Sequence, residues 1–183
     1  MHYTLCDLIA DLTQNAVEAQ SSFVEVELIE TEDNLEVFIR DNGKGMNAEL
    51  LQRVKDPFYT DGIKHPNRKV GLGIPFLIQT ATDTNGSWDI RSQEGEGTSV
   101  DMCFDLHNID TPPIGDVPAL FRQMLTFFGD FELKITRKKQ TGESNIDYTL
   151  SRTELQEVLG GMETVADLAL LGEFIQSQEQ ENN

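Results

Sequence analysis

Two acids, an asparagine and a threonine stand where oxygen chemistry could be done, and three glycine pairs lie beside them. FIRDNGKGM (38–46) runs an apolar strand into Asp41, Gly43, Gly45 and Met46, and DLIADLTQNAVEA (7–19) carries Asp11 and Asn15. VGLGIPFL (70–77) holds Gly71, Leu72 and Gly73, and GEGTSV (95–100) leads into Thr98. An Asp-x-x-x-Asn pair on a helix puts a carboxylate and an amide on one side, which suits base work and a hard cation. A glycine pair before a helix suits an anion, because the first amides and the dipole point at it. Each feature also has a plainer reading. DNG is an ordinary turn signal, Asn15 can be a satisfied polar residue on a helix edge, GLG a tight strand-to-helix turn, and GEG a hairpin turn.

The elements that must carry these residues are readable from periodicity. Leu5, Leu8, Ile9, Leu12 and Ala16 form one apolar stripe over a helix at 4–20, with Asp11 and Asn15 at its edge. In the strands that follow, Val24, Val26 and Leu28, then Leu35, Val37 and Ile39, alternate with polar residues. Asp41 continues the second series, so its carboxylate points to the core side. Burying it unpaired would cost several kcal/mol, so a hydrogen-bonding partner is expected. Thr98, Val100, Met102, Phe104 and Leu106 share a face of a later strand. Thr98 thus sits at the mouth of a buried face as Asp41 does, and the two imply a shared polar pocket. A short helix (NAELLQRVKD), an irregular segment reaching residue 70, and a helix closing at Asn85-Gly86 lie between. SWDIRS is expected to pair with the Thr98 strand.

Charge and cysteine usage exclude several classes of function. With a formal net charge of −18, the surface repels nucleic acid and anionic membranes. Phosphate binding must then rely on amides, a few cations or a metal. No stretch has the length of a membrane span, and MHYTLCDLIADL is no secretory leader. Cys6, Cys103 and the three histidines form no metal-ligand pattern, so reduced thiols in a cytoplasmic protein are expected.

HNIDTPPIGD (107–116) reads as a linker, giving domains at 1–108 and 109–183. Beyond it a helix runs from Asp116 to Gly129. FELKITRKK and NIDYTL then form a hairpin. Ser151 and Glu154 form a capping box, and a last helix uses Val165, Leu168, Leu171, Phe174 and Ile175 before a frayed tail. This segment fits a docking or dimerisation element, or equally a cap on the open face of the sheet. KITRKK (134–139) could meet an acidic partner, or be a solvated strand edge.

In order and spacing the motifs of residues 4–106 resemble the ATP-binding module shared by histidine kinases, DNA gyrase B, the Hsp90 chaperone and MutL (the GHKL superfamily). DLIADLTQNAVEA looks like its N box, DNGKGM its first glycine box, DPFYTD (56–61) the phenylalanine box, VGLGIPFL its second glycine box, and GEGTSV the strand bearing the pocket threonine. The resemblance implies an α+β fold of the Bergerat type, a two-layer α/β sandwich whose mixed sheet is covered by helices on one face, with a small C-terminal α/β extension. It also implies that Asp41 accepts a proton from the adenine amino group and that Thr98 meets the adenine edge with an ordered water. Gly43, Gly45 and Met46 would adjoin the base and ribose, and Asn15 would give its oxygen to Mg²⁺. Gly71, Leu72 and Gly73 would approach the phosphates. Lys64, Arg68 and Lys69 would meet the terminal phosphate, or else be solvated charges. Asp11 departs from the family pattern, which has Glu in ATP-hydrolysing members and Asn in many sensor kinases; it keeps the acid one methylene shorter.

Only three residues precede the first helix, so no helical hairpin bearing a phosphoacceptor histidine is expected here, and none of the three histidines resembles one. The leading expectation is a Mg-ATP-dependent kinase or ATPase that transfers the γ-phosphoryl to a partner protein or to water. The alternatives are a non-catalytic ATP-dependent switch, or a dimerising ATPase of the MutL or gyrase kind.

Overall fold

The computed structural model describes residues 3–56, 73–142 and 144–180. Among them are α1 (Leu5–Glu18), β1 (Phe23–Thr31), β2 (Asn34–Asp41), α2 (Ala48–Val54), α3 (Gly73–Asp83), β3 (Ser87–Gln93) and β4 (Gly97–Asp105). α4 (Val117–Leu125), β5 (Glu132–Thr141), β6 (Ser144–Ser151), α5 (Arg152–Leu159) and α6 (Val165–Gln178) follow. The strands make one mixed sheet in the order β3-β4-β2-β1-β5-β6, antiparallel throughout except for the β1–β5 pair.

The period-2 pattern decides which face is covered. Val24, Val26, Leu28, Leu35, Val37, Ile39, Met102, Phe104, Leu133 and Ile135 are buried against the apolar sides of the helices in one continuous core. The opposite face is polar. Arg40 pairs there with Glu27 at 3.0 Å and Lys134 with Glu25 at 3.1 Å. This is the expected α+β two-layer sandwich. The hairpin after the linker lengthens the sheet edgewise, because β5 lies alongside β1 from Phe23↔Glu132 to Thr31↔Gln140. The linker also returns to α1. Pro113 and Ile114 accept hydrogen bonds from the Leu5 and Cys6 amides (2.9 and 2.8 Å), which α1's own turns cannot satisfy.

Local chemistry shifts several predicted boundaries. α1 opens on a reciprocal capping box between Thr4 and Asp7, and α6 on another between Thr164 and Asp167. At Ser151 only half of the expected box forms. Its hydroxyl accepts the Glu154 amide at 3.2 Å but donates to Glu132 at 2.7 Å. α4 stops at Leu125 rather than near Gly129. The Thr126 hydroxyl binds the Arg122 and Gln123 carbonyls, and the Arg152 guanidinium gathers those of Leu125, Phe127, Gly129 and Phe131. On α6 only Leu171 and Ile175 of the predicted stripe are buried; Val165 and Phe174 are exposed.

Part of the basic run at 134–139 is engaged within the fold. Arg137 is 1% exposed and bonds Glu30 and Glu179, while Lys139 lies 3.3 Å from Glu30. Glu179, in the tail expected to fray, also accepts from the Tyr148 hydroxyl at 2.5 Å. Cys6 and Cys103 are free thiols; burial, then the Asp7 carboxylate, pushes Cys6 up to about 12. Among the described residues no helix is long and apolar enough to cross a membrane.

Candidate functional site

Three neighbouring strands each end in a polar residue on the helix-covered face. Ser92 of β3 faces Thr98 of β4, which faces Asp41 of β2. The parity that predicted Asp41 and Thr98 also applied to Ser92, since Trp88, Ile90 and Ser92 alternate in the same way. Ser92 was missed because SWDIRS has only two apolar residues to reveal its face. Its hydroxyl lies 2.9 Å from Thr98 Oγ1 and 2.9 Å from the Gly97 carbonyl, and it accepts the Met46 amide at 2.8 Å.

The Asp41 carboxylate has the expected partners at one oxygen. Oδ1 accepts the Gly43 amide at 2.8 Å and lies 3.2 Å from the Ser21 hydroxyl, whose one proton it shares with the Ala16 carbonyl. Ser21, also missed from sequence, lies 2.6 Å from the Ala16 carbonyl and thereby ties Asp41 to the end of α1. Oδ2 takes no side-chain hydrogen bond among the described residues, and the Thr98 backbone also lies against the carboxylate. Burial raises the pKa of Asp41, and bonds from Gly43, Ser21 and the Thr98 backbone offset part of that rise. The group is a partly desolvated acceptor with lone pairs left to bind a donor.

The DNG step does not close a hairpin. The Asn42 amide oxygen accepts the Ser22 and Phe23 amides (3.0 and 2.9 Å), bracing the start of β1. Of Gly43 and Gly45, only Gly45 is left-handed, at φ +62°. The space a side chain would need is filled by the protein's own backbone. A Cβ on Gly43 would lie 2.6 Å from the Ala19 carbonyl oxygen, and one on Gly45 would lie 1.9 Å from that of Gln93. Gly97 is the most constrained, at φ +110° with its Cβ position 1.9 Å from the Asp41 carbonyl oxygen. Gly97→Ala is therefore expected to cost at least about 3 kcal/mol in urea unfolding. A loss below about 1 kcal/mol would show that this corner yields easily.

The other end of the site lies between α1 and α3. A Cβ on Gly73, the first residue of α3, would lie 3.4 Å from the Asn15 amide nitrogen and 3.6 Å from the Asp11 Cβ. Asn15 is half-buried and its side chain has no hydrogen bond among the described residues. Asp11 is exposed and receives the Tyr3 hydroxyl at 3.4 Å; the Tyr3 ring packs on Phe76 of α3 at 4.2 Å. Burial, then Asp11, raises the Tyr3 phenol far above its usual range, so it stays a donor. Asp11, Asn15 and Gly73 are thus brought together, as are Asp41, Gly43, Gly45, Met46 and Thr98. Lys64, Arg68, Lys69, Gly71, Leu72 and residues 57–61 of DPFYTD lie outside the described residues. Asn15 carries an amide oxygen of the kind a hard cation takes; no cluster of three or more metal-binding side chains exists among the described residues.

Residues 3–108 match the family model described as "Histidine kinase-, DNA gyrase B-, and HSP90-like ATPase". The chain belongs to this family. Its similarity to curated proteins points the same way. It is 29% identical over 107 residues to a putative NtrY-like sensor histidine kinase of Rickettsia conorii, covering 56% of this chain and 17% of that protein. It is 30% identical over 100 residues to the sensor histidine kinase YxdK of Bacillus subtilis, covering 52% and 31%. It is 29% identical over 109 residues to the CAI-1 autoinducer sensor kinase/phosphatase CqsS of Vibrio cholerae, covering 60% and 15%. The chain spans less than a third of the length of each of these relatives. Family membership makes residues 3–108 a kinase-like ATP-binding module.

Proposed function

We propose that this chain binds Mg-ATP between the Asp41–Thr98 row and the Asp11–Asn15–Gly73 corner, and delivers the γ-phosphoryl to a partner protein or to water. The observation that carries this reading is Asp41, a half-buried carboxylate whose Oδ1 is held by Gly43 and Ser21 and whose Oδ2 takes no side-chain hydrogen bond among the described residues. That oxygen suits a ligand N–H such as the adenine amino group. Thr98 borders the base, with Gly43, Gly45 and Met46 forming the turn beside it. Asn15 offers an oxygen to the metal, and Gly73 opens α3, whose first amides suit phosphate oxygens. Bound Mg²⁺ would neutralise charge across the phosphates. Asp11 is close enough to Asn15 to orient the attacking hydroxyl, imidazole or water and take up its proton as the γ-phosphorus–oxygen bond breaks.

Among the described residues no histidine is placed to receive the phosphoryl, which favours a partner or water. His107, the only histidine among the described residues, follows β4 and pairs with Asp33 at 2.8 Å. It lies two residues beyond Asp105, which is itself seven strand residues, roughly 23 Å, from Thr98. The segment 109–183 would serve for docking. In support, Val165, Leu170 and Phe174 are exposed on α6, and the acids Glu163 and Glu173 beside them favour a basic partner over a second copy.

γ-Labelled ATP with Mg²⁺, given to wild type and Asp11→Asn with and without cell extract, tests the reading. Label on a specific protein, or free phosphate, is expected from wild type and should fall about 100-fold in the variant. Tight binding with neither product would identify an ATP-dependent switch instead.

A further inference from the structure

Proton bookkeeping at Ser92 makes Thr98 a one-way hydrogen-bonding group. The Ser92 hydroxyl has one proton and two lone pairs. The Gly97 carbonyl, 2.9 Å away, can only accept, so it takes the Ser92 proton. The Met46 amide, 2.8 Å away, can only donate, so it fills one lone pair. Thr98 Oγ1, at 2.9 Å, then has one role left toward Ser92: it donates into the second lone pair. Ser92 is saturated by this arrangement, and the only proton Thr98 has is spent on it. What the Thr98 hydroxyl offers the pocket is lone pairs alone, next to the Asp41 carboxylate on the adjacent strand.

We propose that Ser92 is a specificity-determining residue, which holds Thr98 as an acceptor so that the Asp41–Thr98 row takes a purine edge bearing an amino group and rejects one bearing a carbonyl. The inference rests on the nucleotide reading of that row given above. It assigns Ser92 a positioning role, because Ser92 acts through Thr98 rather than on the ligand. In Ser92→Ala the Thr98 proton is released and can turn into the pocket, where a carbonyl edge could receive it directly or through a water. Ser92→Thr keeps a hydroxyl at the same place and should keep the discrimination.

The test is equilibrium binding, by calorimetry, of adenosine and inosine 5′-triphosphates to wild type, Ser92→Ala and Ser92→Thr. The inosine nucleotide replaces the amino group with a carbonyl, adds a proton at N1, and leaves the sugar and phosphates unchanged. The preference for the adenosine nucleotide should fall about tenfold in Ser92→Ala and stay near wild type in Ser92→Thr, a change of the size of one hydrogen bond. A merely structural role would weaken both nucleotides together and leave their ratio unmoved, which overturns the proposal. Failure of wild type to bind the adenosine nucleotide would instead remove the pocket reading itself. The two failures are therefore distinguishable.

Discussion

Asp41→Asn is expected to weaken ATP binding by roughly two orders of magnitude while leaving the melting temperature at or above that of wild type. Asparagine retains one oxygen, which can keep accepting the Gly43 amide and Ser21 hydroxyl that now hold Oδ1. The atom replacing Oδ2 becomes an NH₂ group, so a donor faces the amino donor of the base. Loss of a hydrogen bond to a charged group, together with an unpaired donor, amounts to about 3 kcal/mol. The fold is spared because burial disfavours the charged carboxylate in the first place. Asp41→Ala should behave differently, since it orphans the Gly43 amide and lowers stability as well as binding. Calorimetry with ATP and thermal unfolding of the same samples decide the matter. Wild-type affinity in Asp41→Asn would remove the pocket assignment.

The raised pKa of Asp41 adds a pH dependence whose sign can be worked out. A carboxyl whose folded pKa lies above its unfolded value stabilises the fold below the unfolded pKa, and that contribution is lost as pH rises through the folded one. Binding runs the opposite way, because the ligand needs the carboxylate. ATP affinity should therefore fall, as pH drops, earlier than an ordinary aspartate would allow, and Asp41→Asn should lack this step.

How far the sequence could be read depended on whether a neighbour shared the signal. Asp41 was visible because Leu35, Val37 and Ile39 set its parity, and Thr98 because four apolar residues set its own. Arg137 obeys the same rule after Leu133 and Ile135, and Glu30 after Val24, Val26 and Leu28. KITRKK nevertheless looked like a surface patch, because a run of cations hides an alternation that two apolar residues only begin. Ser21 escaped for a different reason. It lies between elements, and its contact with Asp41 spans 20 residues, which no local period encodes. Gly43 and Gly45 were recognised as special and Gly97 only as part of a hairpin turn, but the backbone that excludes a side chain at all three arrives from α1, β2 and β3. Only the assembled sheet brings those segments together.

Arg137→Ala is the substitution expected to damage the fold most, by about 3–5 kcal/mol, or roughly 10 °C in melting temperature. Arg137 lies beside Leu28 in the sheet register and satisfies two carboxylates, Glu30 on β1 and Glu179 just beyond α6. Truncation would leave Glu179 with only the Tyr148 hydroxyl and Glu30 with only Lys139. Two half-buried charges would then face the core without adequate compensation. The cost comes from breaking the set rather than from any large net gain in having it, because desolvation offsets much of the attraction in a buried pair. Arg137→Met combined with Glu30→Gln and Glu179→Gln should therefore recover most of the lost stability. Urea unfolding of both variants tests this; a loss below about 1 kcal/mol in Arg137→Ala would mean that water already reaches the carboxylates. The same site separates stability from ligand binding. Glu30 lies six residues along β1 from Val24, the partner of Asp41, a distance of roughly 20 Å. At temperatures where Arg137→Ala is still folded, its ATP affinity should match wild type, whereas Asp41→Asn should show the reverse: an intact fold with the ligand lost.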